Sequence, residues 1–122
     1  MPALKALSEP DITARLSALP RWRFEDGAIR RIYRTHGWKG SLMAVNAIGH
    51  LAEVAWHHPD ISLSWDKVEV ALTTHDAGGV SDRDFELARK IEDVLYWRPD
   101  HEGGALEGTP ADPRFAYLKH DD

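Results

Sequence analysis

Two strand–turn–strand stretches, each followed by a helical run, constrain the fold of this chain more than any other feature. In the first, Trp22 and Phe24 alternate with arginines, Asp26-Gly27 is a two-residue hairpin turn, and Ala28 to Arg34 resumes as strand. In the second, Ile61 to Trp65 reads as strand and Asp66-Lys67 as the turn. Val68, Val70 and Leu72 then alternate with Glu69, Ala71 and Thr73, the pattern of a half-buried strand. Between the two, Leu42, Val45, Ile48, Gly49, Ala52 and Ala55 keep helical spacing from Ser41 to Trp56, and Pro59 stops that helix near His57-His58. A leading helix starts at the Ser8 cap, carries Ile12, Leu16 and Leu19 on one face and ends at Pro20. After Gly78-Gly79, Ser81 with Asp84 three residues on forms a capping box, and Phe85, Ala88, Ile91 and Leu95 make the buried stripe of a last helix.

The order αββαββα predicts an α+β fold, a four-stranded, largely antiparallel sheet with helices packed on one face. A chain of 122 residues holds one core. Residues 1–98 carry all of these elements. Residues 99–122 contain Pro99, Pro110, Pro113, Gly103, Gly104 and Gly108 and few aliphatics, so they read as an irregular tail dispensable for chemistry. Phe115, Tyr117 and Leu118 are its candidates for docking back.

Composition narrows the chemistry. The chain has no cysteine, which excludes disulfides, thiolate catalysis and cysteine-ligated metals. Its formal charge is −5, which disfavours nucleic acid as a partner, and the one arginine cluster, Arg30, Arg31 and Arg34, is divided between two strand faces. The charge-free run from Gly40 to Ala52 is too short to span a membrane. The first ten residues show no basic stretch leading into an apolar one, so the expected location is cytoplasmic.

Three of the seven histidines fall within nineteen residues, at the ends of two predicted elements able to fold together: His57, His58 and His75. Imidazole titrates near neutrality, so a converging set can hold an acid and a base at one pH. Adjacent side chains on a continuous helix diverge by about 100°. Pro59 lifts that restriction by forcing His58 extended, and Glu53, four residues before His57, is placed to orient an imidazole. His75 lies on the outward parity of its strand, beside Thr73 and Thr74. Against this stand plainer readings: solvated histidines at a helix end, threonines as strand formers, Trp65 as packing, Asp84 as the cap partner of Ser81, and Gly78-Gly79 as a tight turn rather than a phosphate loop. No metal is expected, because adjacent histidines chelate one ion poorly. No cofactor is expected either.

The pattern Glu53-x3-His57-His58-Pro59-x5-Trp65-x9-His75-x8-Asp84 resembles the signature of pterin-4a-carbinolamine dehydratases. His58-Pro59-Asp60-Ile61, Leu72-Thr73-Thr74-His75-Asp76-Ala77-Gly78-Gly79 and Arg83-Asp84-Phe85 strengthen the likeness, which covers roughly Ser8 to Arg98. One departure is Trp56, where the family often has an acidic residue. The resemblance implies dehydration of a 4a-hydroxytetrahydropterin to quinonoid dihydropterin, following aromatic amino acid hydroxylation. It implies His57 and His75 as acid and base, in either order, and His58 as a positioning group. Substrate contacts are implied at Trp56, His57, His58, Thr73, Thr74, His75 and Asp76, with Glu53, Trp65 and Asp84 supporting. The resemblance also implies a homodimer or homotetramer, in line with the small-residue positions Ala44, Ala47 and Ala52. The rival implication is a non-catalytic, dimerising protein-binding module of the same fold.

Overall fold

The computed structural model describes residues 4–120. Helix α1 (Glu9–Leu16) starts at the Ser8 cap, whose hydroxyl accepts from Asp11 N at 3.3 Å, and Pro10 occupies its first turn. It ends at Leu16 rather than Pro20, yet Leu19 in the following turn is still buried. Strands β1 (Arg23–Glu25) and β2 (Ala28–Arg34) pair through a turn in which Asp26 and Gly27 both have positive φ, 50° and 74°. That is the primed hairpin the Asp-Gly pair specifies.

Helix α2 (Trp38–Ala55) begins three residues earlier than the periodicity indicated. Its buried line is Gly40, Ala44, Ile48 and Ala52, at four-residue spacing, with Ser41 buried beside it. Leu42 and Ala55, expected on the inward stripe, face outward. Ala44 and Ala52 are buried within the protein's own core, so they do not present a free face to a second subunit.

Strands β3 (Asp60–Ser64) and β4 (Lys67–Leu72) turn at Trp65-Asp66, one residue before the expected Asp66-Lys67. Lys67 instead pairs with Ser64. The four strands are antiparallel in the order β1-β2-β4-β3, with α2 against β3 and β4 and α3 (Asp82–Leu95) against α2. The architecture is the α+β fold expected from the element order. Ile29, Tyr33, Val68, Val70 and Leu72 meet Ile48 of α2 and Phe85, Ala88, Ile91 and Leu95 of α3 in one core. No described helix is long and apolar enough to cross a membrane.

Residues 99–120 hold a single 3₁₀ turn, Pro99–His101, and are otherwise irregular. They pack back on the domain. Leu118 joins the core and forms an antiparallel bridge with Thr35 just past β2.

Candidate active site

The local fold around His57 and His58 follows from how α2 ends. Trp56 adopts the left-handed conformation, φ 51° and ψ 49°. Its amide donates to Glu53 O and that of His57 to Ala52 O, the two bonds of a Schellman closure. Glycine is the usual occupant of this position, and a bulky residue there costs of order 1 kcal/mol or more. The reversal sends the next two residues in different directions, so the histidines acquire different partners.

His57 turns inward. Its Nε2 lies 2.6 Å from Asp84 Oδ1, across the junction of α2 and α3, and its side chain is 13% exposed. Asp84 is wholly buried. Its second oxygen, Oδ2, accepts from the Thr74 hydroxyl at 2.7 Å and from Ser81 N at 2.9 Å. The Ser81 hydroxyl lies 2.7 Å from Thr74 Oγ1 and accepts from Arg83 N. Because Thr74 spends its proton on Asp84, Ser81 must donate to Thr74, which fixes the direction of the chain of bonds. A carboxylate that only accepts requires Nε2 of His57 to carry its hydrogen, leaving Nδ1 to exchange a proton with a ligand. The capping box read from the sequence is therefore present, and the same carboxylate also holds a histidine.

His58 turns outward. Its Nε2 lies 2.8 Å from Glu53 Oε1, with both side chains well exposed. Its ring stands edge-on to Trp56 at 5.0 Å between centroids. Glu53 thus holds His58 and not the His57 four residues ahead of it, because the left-handed Trp56 breaks the helical spacing.

His75 opens a 3₁₀ turn (His75–Ala77) rather than ending the strand, since β4 stops at Leu72. The turn is closed by paired bonds between the Thr74 and Gly79 backbones at 3.1 and 3.2 Å, with Gly78 at φ 78°. His75 is exposed and lines a cavity of about 420 Å³ with Thr73, Thr74, Gly79, Phe24 and Glu9. Thr74 therefore joins two features, since its hydroxyl touches Asp84 and its neighbours face the cavity. Asp76 is exposed in the same turn. Trp65 is placed elsewhere: it sits at the β3–β4 turn, its ring beside Gly37 at the start of α2, while the histidines follow that helix's end. Among the described residues no group of three His, Asp or Glu side chains is placed to hold a metal ion.

The sequence presents Ser81 only as a cap and pairs His57 with Glu53; the structure gives His57 to Asp84 instead. The S-x-x-D word was the local signal for the first. Nothing local signals the His57–Asp84 pair, which exists only because α2 packs on α3.

The chain matches known proteins over most of its length. The model of the family described as pterin 4 alpha carbinolamine dehydratase matches residues 5–94. A relative from Aquifex aeolicus (strain VF5) is 42% identical over 75% of this chain and 93% of its own length. One from Sulfurisphaera tokodaii is 37% identical over 75% of this chain and 99% of its own length. Both carry the provisional name pterin-4-alpha-carbinolamine dehydratase. A crystal structure of a transcriptional coactivator/pterin dehydratase from Brucella melitensis superposes with a TM-score of 0.69 at 28% identity, covering 74% of this chain and 98% of that one. The chain belongs to the pterin-4-alpha-carbinolamine dehydratase family.

Proposed function

We propose that this protein removes water from a 4a-hydroxytetrahydropterin to give the quinonoid dihydropterin, by general acid–base catalysis without metal or cofactor. The observation that carries the reading is the His57–Asp84–Thr74 chain: a wholly buried carboxylate fixes one imidazole, and its other oxygen binds the residue beside His75. In the reaction, one imidazolium donates a proton to the 4a-hydroxyl as the C4a–O bond breaks. The N5 lone pair closes the C4a=N5 double bond, and the second imidazole takes the N5 proton. Water leaves, and the two histidines return to their starting states after exchanging one proton with solvent. His57 and His75 fill these roles in either order.

His58, with Glu53 and the Trp56 ring beside it, positions the substrate. Thr73, Thr74 and Asp76 contribute contacts on the His75 side, and Trp65 supports the hairpin from its far end. The chemistry belongs to residues 1–98. The physiological setting is the cytoplasm, where the product of an aromatic amino acid hydroxylase supplies the substrate. The protein acts as a homodimer or homotetramer, a reading supported by the unpaired edge of β3 and by the exposed Leu42, Met43 and Leu63.

The test is a dehydratase assay on freshly generated 4a-hydroxytetrahydropterin with wild type, His57→Ala and His75→Ala. Loss of turnover in both variants, with each still folded, supports the enzyme. Near-wild-type turnover in both overturns it and favours a protein-binding module; the Brucella protein is called a transcriptional coactivator as well as a pterin dehydratase.

A further inference from the structure

Helix α3 carries another largely buried carboxylate, Glu92, two turns after Asp84 and about 12 Å further along the axis. Three donors converge on its Oε1: Trp22 Nε1 at 3.0 Å, Arg31 Nε at 2.5 Å and Tyr33 OH at 2.7 Å. Its Oε2 takes no hydrogen bond from the described residues. A carboxylate offers about four acceptor sites over its two oxygens, so much of this group's capacity is unspent. Glu92 also lines a cavity of about 500 Å³ between residues 18–21, which follow α1, and the last turns of α3. With Oε1 committed to the core, Oε2 is the oxygen left for that cavity.

The same helix face supplies the opposite charge. Arg89 stands three residues before Glu92, a spacing that puts Cβ atoms about 5–6 Å apart on one face. It lines the cavity too. Among the described residues the two form no ion pair with each other. Arg89 instead donates from Nη2 to Ala18 O at 3.0 Å and meets Asp93 only at 4.0 Å. A guanidinium has five donors, so most of those on Arg89 remain for a ligand. Beside this charged wall lie Pro20 and Trp97. Trp97 is 56% exposed, and its flat ring offers a stacking surface at the mouth of the cavity.

We propose that this cavity is a second site, apart from the histidines, that binds a free α-amino acid with an aromatic side chain. The ligand's ammonium donates to Glu92 Oε2, its carboxylate accepts from Arg89, and its ring packs on Trp97 and Pro20. Ammonium and carboxylate sit on one carbon in such a molecule, so it can bridge neighbouring charges of opposite sign on one helix face. A simple amine would be set beside Arg89 with nothing to answer it. A simple acid would face Glu92 and Asp93. The mixed signs therefore select a zwitterion against either. Nothing in this site depends on the dehydratase reading.

The test is calorimetric titration of the full chain with L-phenylalanine, beside 2-phenylethylamine, 3-phenylpropionate and glycine, each of which lacks one of the three recognised groups. Saturable one-to-one binding of L-phenylalanine is expected, at least tenfold tighter than that of the other three, since a hydrogen bond to a charged group is worth that much. Arg89→Gln and Trp97→Ala should each weaken it at least tenfold. Both side chains are exposed, so fold and dehydratase turnover should stay as in wild type. Glu92→Gln should abolish binding, but it also disturbs the Arg31 and Tyr33 contacts, so the two exposed positions decide the matter. Absence of L-phenylalanine binding at millimolar concentration overturns the proposal. Binding unchanged in either exposed variant overturns it too, because the ligand then sits elsewhere. Equal affinity for 2-phenylethylamine or 3-phenylpropionate overturns the zwitterion, and equal affinity for glycine overturns the ring contact.

Discussion

His57 and His58 are neighbours in sequence, each 2.6 to 2.8 Å from a carboxylate, and they could hardly differ more in setting. Asp84 is fully buried and meets a histidine, a hydroxyl and an amide. Glu53 has a side chain 68% exposed, and His58 is its one hydrogen-bonded partner among the described residues. An exposed ion pair pays side-chain entropy and is screened by water, so it is worth 0 to about 1 kcal/mol. A buried carboxylate has already been desolvated, and every donor that reaches it is held in place. The difference teaches that distance alone does not mark a working pair; what surrounds the carboxylate does.

A third carboxylate bounds the lesson from the other side. Glu92 gathers Trp22 Nε1 at 3.0 Å, Arg31 Nε at 2.5 Å and Tyr33 OH at 2.7 Å through one oxygen, with a side chain 12% exposed. The donors it gathers are an indole, a guanidinium and a phenol. Burial with many donors can therefore be structural, and the imidazole is what converts such a cluster into a candidate for catalysis. The cluster perturbs its members. Burial, then the charge and hydrogen bond of Glu92, push the Tyr33 phenol well above the usual tyrosine range. Burial works against the Arg31 charge, but hydrogen bonds from Glu92 and Tyr96 outweigh it and leave its pKa raised.

The largest expected effect comes from breaking the inner pair at the ring. A general acid or base contributes roughly 100- to 10,000-fold in rate. His57→Ala should lower dehydratase turnover by at least the lower figure. His75→Ala should do the same with little change in melting temperature, since His75 is exposed and has no hydrogen-bonded partner among the described side chains. Kinetics beside thermal melts check both.

Breaking the inner pair at the carboxylate comes next. Asp84→Ala strands the Ser81 amide, the Thr74 hydroxyl and His57 in a buried site, and should cost about 3 kcal/mol of stability as well as rate. Asp84→Asn separates the two roles. Its oxygen can keep the Ser81 and Thr74 donors while its amide faces His57 Nε2, which must then accept. The wrong tautomer of His57 follows, so rate should fall by tenfold or more while most of the stability survives. Equal losses of stability in the two variants would show that His57, not the cap, dominates the energetics of Asp84.

How much of this was readable beforehand follows the range of the interactions. The capping box at Ser81 and Asp84 spans three residues and was legible. So was the Asp26-Gly27 turn, because its two positive φ angles demand that chemistry. The Trp65-Asp66 turn was misplaced by one residue because nothing in Trp-Asp-Lys prefers one register. The buried line of α2 was misjudged at Leu42 because small residues, Ala44 and Ala52, carry the close contact and a hydropathy pattern weights the larger ones. Glu53 was aimed at an imidazole four residues on, which holds only while a helix continues, and the left-handed turn at Trp56 ends it. Gly40 fell outside the helix expected from Ser41, and what requires a glycine there is Tyr117, far along the chain.

The Glu92 cluster sharpens the comparison through alkaline pH. Above the ordinary phenol value of 10.0, the unfolded chain loses the Tyr33 proton while the folded chain keeps it. The unfolded state then binds fewer protons, so stability is full below pH 10 and falls as pH rises beyond it. The slope for one such group is about 1.4 kcal/mol per pH unit. Tyr33→Phe should remove that share of the slope between pH 10 and 11 in denaturant titrations. His57→Ala should leave it untouched, which keeps the two buried carboxylates independent. A slope unchanged by Tyr33→Phe would mean that other tyrosines, such as Tyr117 with its burial-raised phenol, set the alkaline limit.

The smallest effects belong to the outer pair. Both partners of Glu53–His58 are more than 40% exposed, at 68% and 49% of their side chains, so Glu53→Gln and His58→Ala should each shift stability by no more than about 0.5 kcal/mol. The shift from Glu53→Gln should shrink further in 1 M salt, where the screening length falls to about 3 Å. Kinetics should still distinguish the two residues. On the proposed positioning role of His58, His58→Ala should raise KM several-fold and leave kcat within a factor of a few of wild type. On the same proposal Glu53, bonded to His58, acts through it, so Glu53→Gln should raise KM less than His58→Ala does, and adding it to His58→Ala should change nothing more. If His58→Ala instead lowers kcat as far as His57→Ala while KM holds, the outward histidine is a proton carrier in its own right. The contrast between buried and exposed pairs would then describe their stability and not their chemistry.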